Sequence, residues 1–115
     1  MIRFRNLGTV IGFDLPDKSG RKICDIIVTY KPVKNDWDKF TATIELKKTI
    51  ATPVDPHSPF YYDVTTETIE SPIKEVKTSI ANMIEEKINS GFFDSYLKVF
   101  SDLIEEQLVK LSVIA

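Results

Sequence analysis

The sequence predicts an α+β domain, an antiparallel three- to four-stranded meander followed by a C-terminal αα-hairpin packed on one face (ββββαα, two layers). Three observations carry this. Residues 39–50 alternate apolar and polar with period two, the signature of a half-buried strand. After residue 70 the apolar residues recur at helical spacing instead. Between the runs stand turn signals rather than long linkers. A single domain over 1–115 follows, with the sheet in 1–70 and the helical hairpin in 71–115.

The first strand spans residues 2–15. Ile2 and Phe4 alternate in one phase, and Leu7, Ile11 and Phe13 follow in the other. A one-residue slip flips every side chain to the opposite face, so a bulge near Asn6–Gly8 is expected. Pro16-Asp17-Lys18-Ser19-Gly20 is a turn: proline presets φ, aspartate bonds its own backbone and glycine accepts positive φ. The second strand, 21–31, carries Cys24, Ile26, Val28 and Tyr30 on one face and Ile23 and Ile27 on the other. A partly apolar second face marks it as central. Residues 32–38 read as a polar loop holding Trp37.

In the third strand, 39–50, Phe40, Ala42, Ile44 and Leu46 point inward. Pro53, Pro56 and Pro59 disfavour both helix and ladder across 51–59. A fourth strand over 60–69 has Phe60, Tyr62 and Val64 in phase, and its proline and threonine content suits a sheet edge. Ser71-Pro72 is expected to open the first helix, with Ser71 as N-cap and Pro72 at the first helical position. Its stripe is Ile73, Val76, Ile80, Ile84 and Ile88, and Gly91 closes it with a left-handed residue. The second helix, about Phe92 to Ser112, carries Phe93, Tyr96, Leu97, Phe100, Leu103, Ile104, Leu108 and Leu111.

Composition narrows the function classes. The chain has 115 residues, 43% hydrophobic and 28% charged, with a net charge of −2. That is long enough to bury a core without disulfide or metal staples, and too apolar for a disordered chain. No apolar run approaches the roughly 20 residues of a membrane span, and Met1–Asn6 has no apolar signal region. One cysteine cannot close an internal disulfide. A cytoplasmic protein that does not engage membranes is expected. Lysine and isoleucine abound while arginine and alanine are scarce, the codon imprint of an AT-rich genome such as a low-GC bacterium, or a phage or mobile element of one.

Charge is split. Residues 1–60 hold ten Lys/Arg and seven Asp/Glu, net +3, and residues 61–115 hold five and ten, net −5. Arg3, Arg5, Lys47 and Lys48 are the candidates for an anion site near the sheet. An acidic pI of 5.4 argues against nucleic-acid binding, which needs clustered positive charge.

Catalytic motifs are lacking. His57 is the single histidine, and its neighbour Ser58 is badly placed for a hydrolytic triad. No phosphate-binding glycine loop or nucleophile elbow occurs. One His and one Cys make a metal site improbable, and no cofactor is called for. Cys24, on an apolar strand face, reads as a small buried hydrophobe. A non-enzymatic protein is expected.

Apolar side chains on the second helix exceed one stripe. Phe92, Val99, Leu103 and Val109 are therefore oligomer-interface candidates in a homo-oligomer. Trp37, His57, Phe60 and Tyr61 are the candidates for contact with a protein partner, since Trp and Tyr are enriched at binding hot spots; the alternative for Trp37 is that it folds back over the sheet edge. The leading expectation is a small interaction protein that oligomerises through its C-terminal helices and binds a protein partner, as an accessory factor of a phage or mobile element. The second is a protein sequestering an anionic small molecule, such as a nucleotide, at a subunit interface.

Overall fold

A computed structural model describes residues 9–50 and 58–114. The anticipated bulge at Asn6–Gly8, the apolar residues Ile2, Phe4 and Leu7, and the prolines Pro53 and Pro56 lie outside the described residues, as does the side chain of Leu111. The chain forms a four-stranded antiparallel sheet in the order β1-β2-β3-β4, followed by two helices. The predicted fold class is the observed one.

β1 (Thr9–Pro16) sets Ile11, Phe13 and Leu15 opposite Val28, Ile26 and Cys24 of β2 (Lys22–Val33). The turn between them works as its residues imply. Asp17 Oδ1 accepts the Ser19 amide at 2.8 Å, the Ser19 hydroxyl at 2.6 Å and the Arg21 amide at 2.9 Å. These bonds, the Ser19 hydroxyl foremost, hold the Asp17 carboxyl below its ordinary pKa. Gly20 takes φ 87°.

The expected loop over 32–38 is corrected. β2 runs on to Val33, and β3 (Asp36–Ile50) begins at Asp36, leaving Lys34 and Asn35 as a tight connection. Asn35 adopts φ 63°, a conformation asparagine tolerates better than most residues. Pro32 does not stop the strand because the register shifts between Pro32 and Val33, and a bulge is where a strand accepts a residue without an N–H. Along β3, Phe40, Ala42, Ile44 and Leu46 are all buried.

β4 (Ser58–Glu70) is an edge strand, longer than the expected 60–69. It carries a feature the pattern conceals. Ile44 pairs with Thr65 but Glu45 pairs with Asp63, so Val64 is the extra residue of a bulge. Before the bulge, Tyr62 lies opposite the buried Leu46; after it, Ile69 lies opposite the buried Phe40. The strand thus keeps its apolar residues on the core face while its sequence phase changes.

The helical start also differs from expectation. Ser71 does not cap the helix. Pro72 has ψ 152°, an extended value, and a 3-10 turn over Ile73–Glu75 precedes α1 (Val76–Asn89). Ser71 instead ties two elements together. It is buried, its amide donates to the Asp38 carbonyl at 2.8 Å, and its hydroxyl accepts a bond from the Ser79 hydroxyl at 2.9 Å. The delayed start leaves Ile73 exposed, outside the stripe it was expected to join. Val76, Ile80 and Ile84 are buried. Gly91, at φ 77°, ends the helix as predicted, with its amide on the Ile88 carbonyl and that of Phe92 on the Lys87 carbonyl.

α2 (Asp94–Ile114) starts two residues later than expected. Phe93 and Phe100 are buried, with Tyr96, Leu97 and Ile104 packed against the core. The core lies between one sheet face and the helices. Lys87 closes its rim, with Nζ 2.7 Å from Glu67 Oε2 on β4 and 4.0 Å from the centre of the Phe92 ring.

Candidate functional site

The pleat sorts the expected contact residues before any chemistry is considered. Successive strand side chains face opposite ways. Phe40, Ala42, Ile44 and Leu46 face the helices, so Thr41, Thr43, Glu45 and Lys47 lie in the opposite phase, on the outer face. Trp37 stands 67% exposed; it does not fold back over the sheet. Beside it Asp36 Oδ1 accepts the Asp38 amide at 3.0 Å, and Asp36 Oδ2 sits 3.9 Å from Lys39 Nζ. These contacts stiffen the strand end that carries the indole.

Tyr61 is 51% exposed, pairs with Lys47 in the ladder, and has the Lys47 ammonium 5.8 Å from its ring centre. Ten residues of β3 separate Trp37 from Lys47, about 33 Å of strand. The two aromatics are therefore at opposite ends of the sheet and form no common patch. Phe60, expected among the partner-facing residues, turns the other way. It pairs with Lys48 and its ring lies 5.6 Å from that of Phe100 on α2. The correction follows from alternation, since Tyr61 and Phe60 cannot share a face. His57 lies outside the described residues.

The anion candidates divide in the same way. Lys47 lies on the outer face, opposite Asp25 as well as Tyr61. Lys48 lies in the inward phase at the sheet end, and its ammonium donates to the Ile23 carbonyl at 2.9 Å. Adjacent lysines on a strand thus serve different faces, and the structure does not gather them into one site. Arg3 and Arg5 lie outside the described residues. Lys48 borders a groove of about 320 Å³ lined also by Ile23, Phe100, Ser101, Ile104, Glu105 and Leu108. The groove presents both signs of charge at its rim, which weakens it as an anion trap.

The four oligomer candidates separate into two pairs. Phe92 is half-buried against its own chain, with ring contacts at 5.3 Å to both Phe93 and Tyr96 and the Lys87 ammonium above it. Leu103 is half-buried. Val99 and Val109 are 44% and 59% exposed. Positions 99, 102, 106 and 109 follow the three-four spacing of one helical stripe, so Asp102 and Glu106 lie between the two valines on α2.

Cys24 is buried, and that burial pushes its thiol up to about 11; it is a protonated hydrophobe at neutral pH. Among the described residues no three His, Cys, Asp or Glu side chains gather as a metal site. One carboxyl pair was hidden from the sequence. Glu45 and Asp63 are eighteen residues apart in the chain yet directly opposite in the ladder. Partial burial, then the hydrogen bond with Asp63, raises the Glu45 carboxyl above its ordinary pKa. Only the register brings them together, and the register depends on the bulge at Val64.

Among the described residues no helix is long and apolar enough to cross a membrane. Comparison with protein-family models, curated proteins and solved structures finds no match.

Proposed function

We propose that the protein is a small non-enzymatic interaction module that self-associates through its C-terminal helices and holds a protein partner. The observation that carries this reading is the exposure of Val99 and Val109 on α2, a helix whose opposite side is anchored by buried Phe93 and Phe100. Apolar residues on both sides of a helix are what a helix covered twice requires. Trp37 supplies the second element: a large, stiff side chain held at a strand end, the type enriched at binding hot spots. The abundance of lysine and isoleucine over arginine and alanine supports a low-GC bacterium, or one of its phages or mobile elements, as the source of such a module.

Light scattering over a concentration series tests the self-association. Val109→Glu is expected to lower the mass toward that of one chain while leaving the far-UV dichroism unchanged. Trp37→Ala is expected to leave the mass unchanged and to abolish capture of the partner from the native host. A wild-type protein that stays one chain at several hundred micromolar refutes the helix-mediated assembly.

A further inference from the structure

At the Lys48 end of the sheet, strands and α2 leave between them a groove of about 320 Å³. Small-molecule sites are mostly apolar clefts of about 300–1,000 Å³ with a few placed polar groups. The walls of this groove fit that description. Ile23 and Lys48 form the sheet side, and Phe100, Ile104 and Leu108 the helix side. Phe100 is buried, Ile104 half-buried and Leu108 42% exposed, so the apolar wall opens outward along α2. From position 100 to position 108 it extends about 12 Å.

The two charged residues at the groove are not equivalent. Lys48 is tied to the wall, where its ammonium donates to the Ile23 carbonyl at 2.9 Å. That bond uses one of three N–H donors and neutralises no charge. Among the described residues Lys48 makes no ion pair. Glu105 is exposed on α2, where water solvates its carboxylate. A small hydrophilic anion gains little between opposite charges. A molecule with an apolar body gains from burial, and its charge has only to choose an end.

We propose that the groove binds an amphipathic carboxylate, a free medium-chain fatty acid being the simplest, with its head on Lys48 and its chain along Phe100, Ile104 and Leu108. Burial of methylenes supplies the affinity, and the fixed ammonium supplies the orientation. The site lies within one chain and does not rest on the helix-mediated assembly.

Isothermal titration of the full chain with decanoate, decanol and decylammonium, each below its micelle concentration, tests this. Decanoate is expected to bind one per chain and more tightly than the other two. Lys48→Met is expected to weaken decanoate about fivefold and to leave decanol unchanged. Glu105→Gln is expected to tighten decanoate about twofold. Urea midpoints check that both variants keep the fold. Val109→Glu, aimed at the helix assembly, is expected to bind decanoate as the wild type does, whatever its mass. Four results overturn the proposal: no saturable binding of decanoate, decanol bound equally well, decylammonium bound more tightly, or full decanoate affinity in Lys48→Met. Binding lost in a folded Val109→Glu overturns a site held within one chain.

Discussion

Lys87 is the residue whose replacement most directly tests how the helices are fastened to the sheet. Its side chain is 16% exposed, and it meets a carboxylate on β4 and the face of an aromatic ring beyond α1. Exposed ion pairs contribute about 0.2–1 kcal/mol, and breaking a fully buried one costs about 3–5 kcal/mol. Lys87 and Glu67, the latter one-third exposed, stand between those limits, so losing the pair costs about 1–1.5 kcal/mol. The ammonium over Phe92 adds about 0.5–1 kcal/mol at this degree of shielding. Lys87→Met keeps the apolar stem, removes both contacts, and leaves Glu67 on the core face without its cation. The expected loss is about 2 kcal/mol, a fall of roughly 8 °C in Tm for a domain of this size. Urea unfolding of Lys87→Met, Glu67→Gln and the double variant apportions the terms; the cycle should give a coupling near 1 kcal/mol. A Lys87→Met protein within about 0.3 kcal/mol of wild type, or a coupling of zero, refutes the reasoning.

Further expectations follow from single groups. Glu45 has a raised carboxyl pKa because of its partial burial and Asp63. The folded chain therefore binds this proton more tightly than the unfolded one. Its penalty is full above the raised value and fades as pH falls through it toward the ordinary carboxylate value. Glu45→Gln should stabilise by about 0.5 kcal/mol at neutral pH and by nothing in acid, read from urea midpoints at both. Gly91 holds φ 77°, and an added Cβ would sit 3.0 Å from the Asp94 carboxylate; Gly91→Ala should cost about 1 kcal/mol or more in the same assay. Cys24, buried with a thiol near 11, should react with a thiol reagent only at the rate of unfolding, and fast labelling in native buffer would contradict its placement. Phe100→Ala removes a buried ring that touches Phe60 and Tyr62, and should lower stability by about 3–5 kcal/mol.

Local patterns written into the sequence settled most of the architecture. Alternation along β3 placed Phe40, Ala42, Ile44 and Leu46 inward, because a strand's period fixes its faces whatever lies next to it. Asp17 and Gly20 specified their turn, and Gly91 its helix end, because those conformations rest on a residue's own backbone freedom and its own side chain. What failed was always relational. Ser71 had the composition of a cap, yet the extended Pro72 and the Asp38 carbonyl across the chain gave it another task. Pro32 looked like a strand end until a register shift made room for it. Trp37 and Tyr61 are both candidates for partner contact and Lys47 and Lys48 both candidates for an anion site, yet strand length separates the first pair and the pleat the second. The Glu45–Asp63 pair and the Lys87 clamp join residues whose distance in the chain carries no signal. The sequence by itself determined which elements form and which faces they bury, because those depend on neighbours one to four residues away. Tertiary structure alone decided register, edge and pairing, because each depends on where a second segment stops.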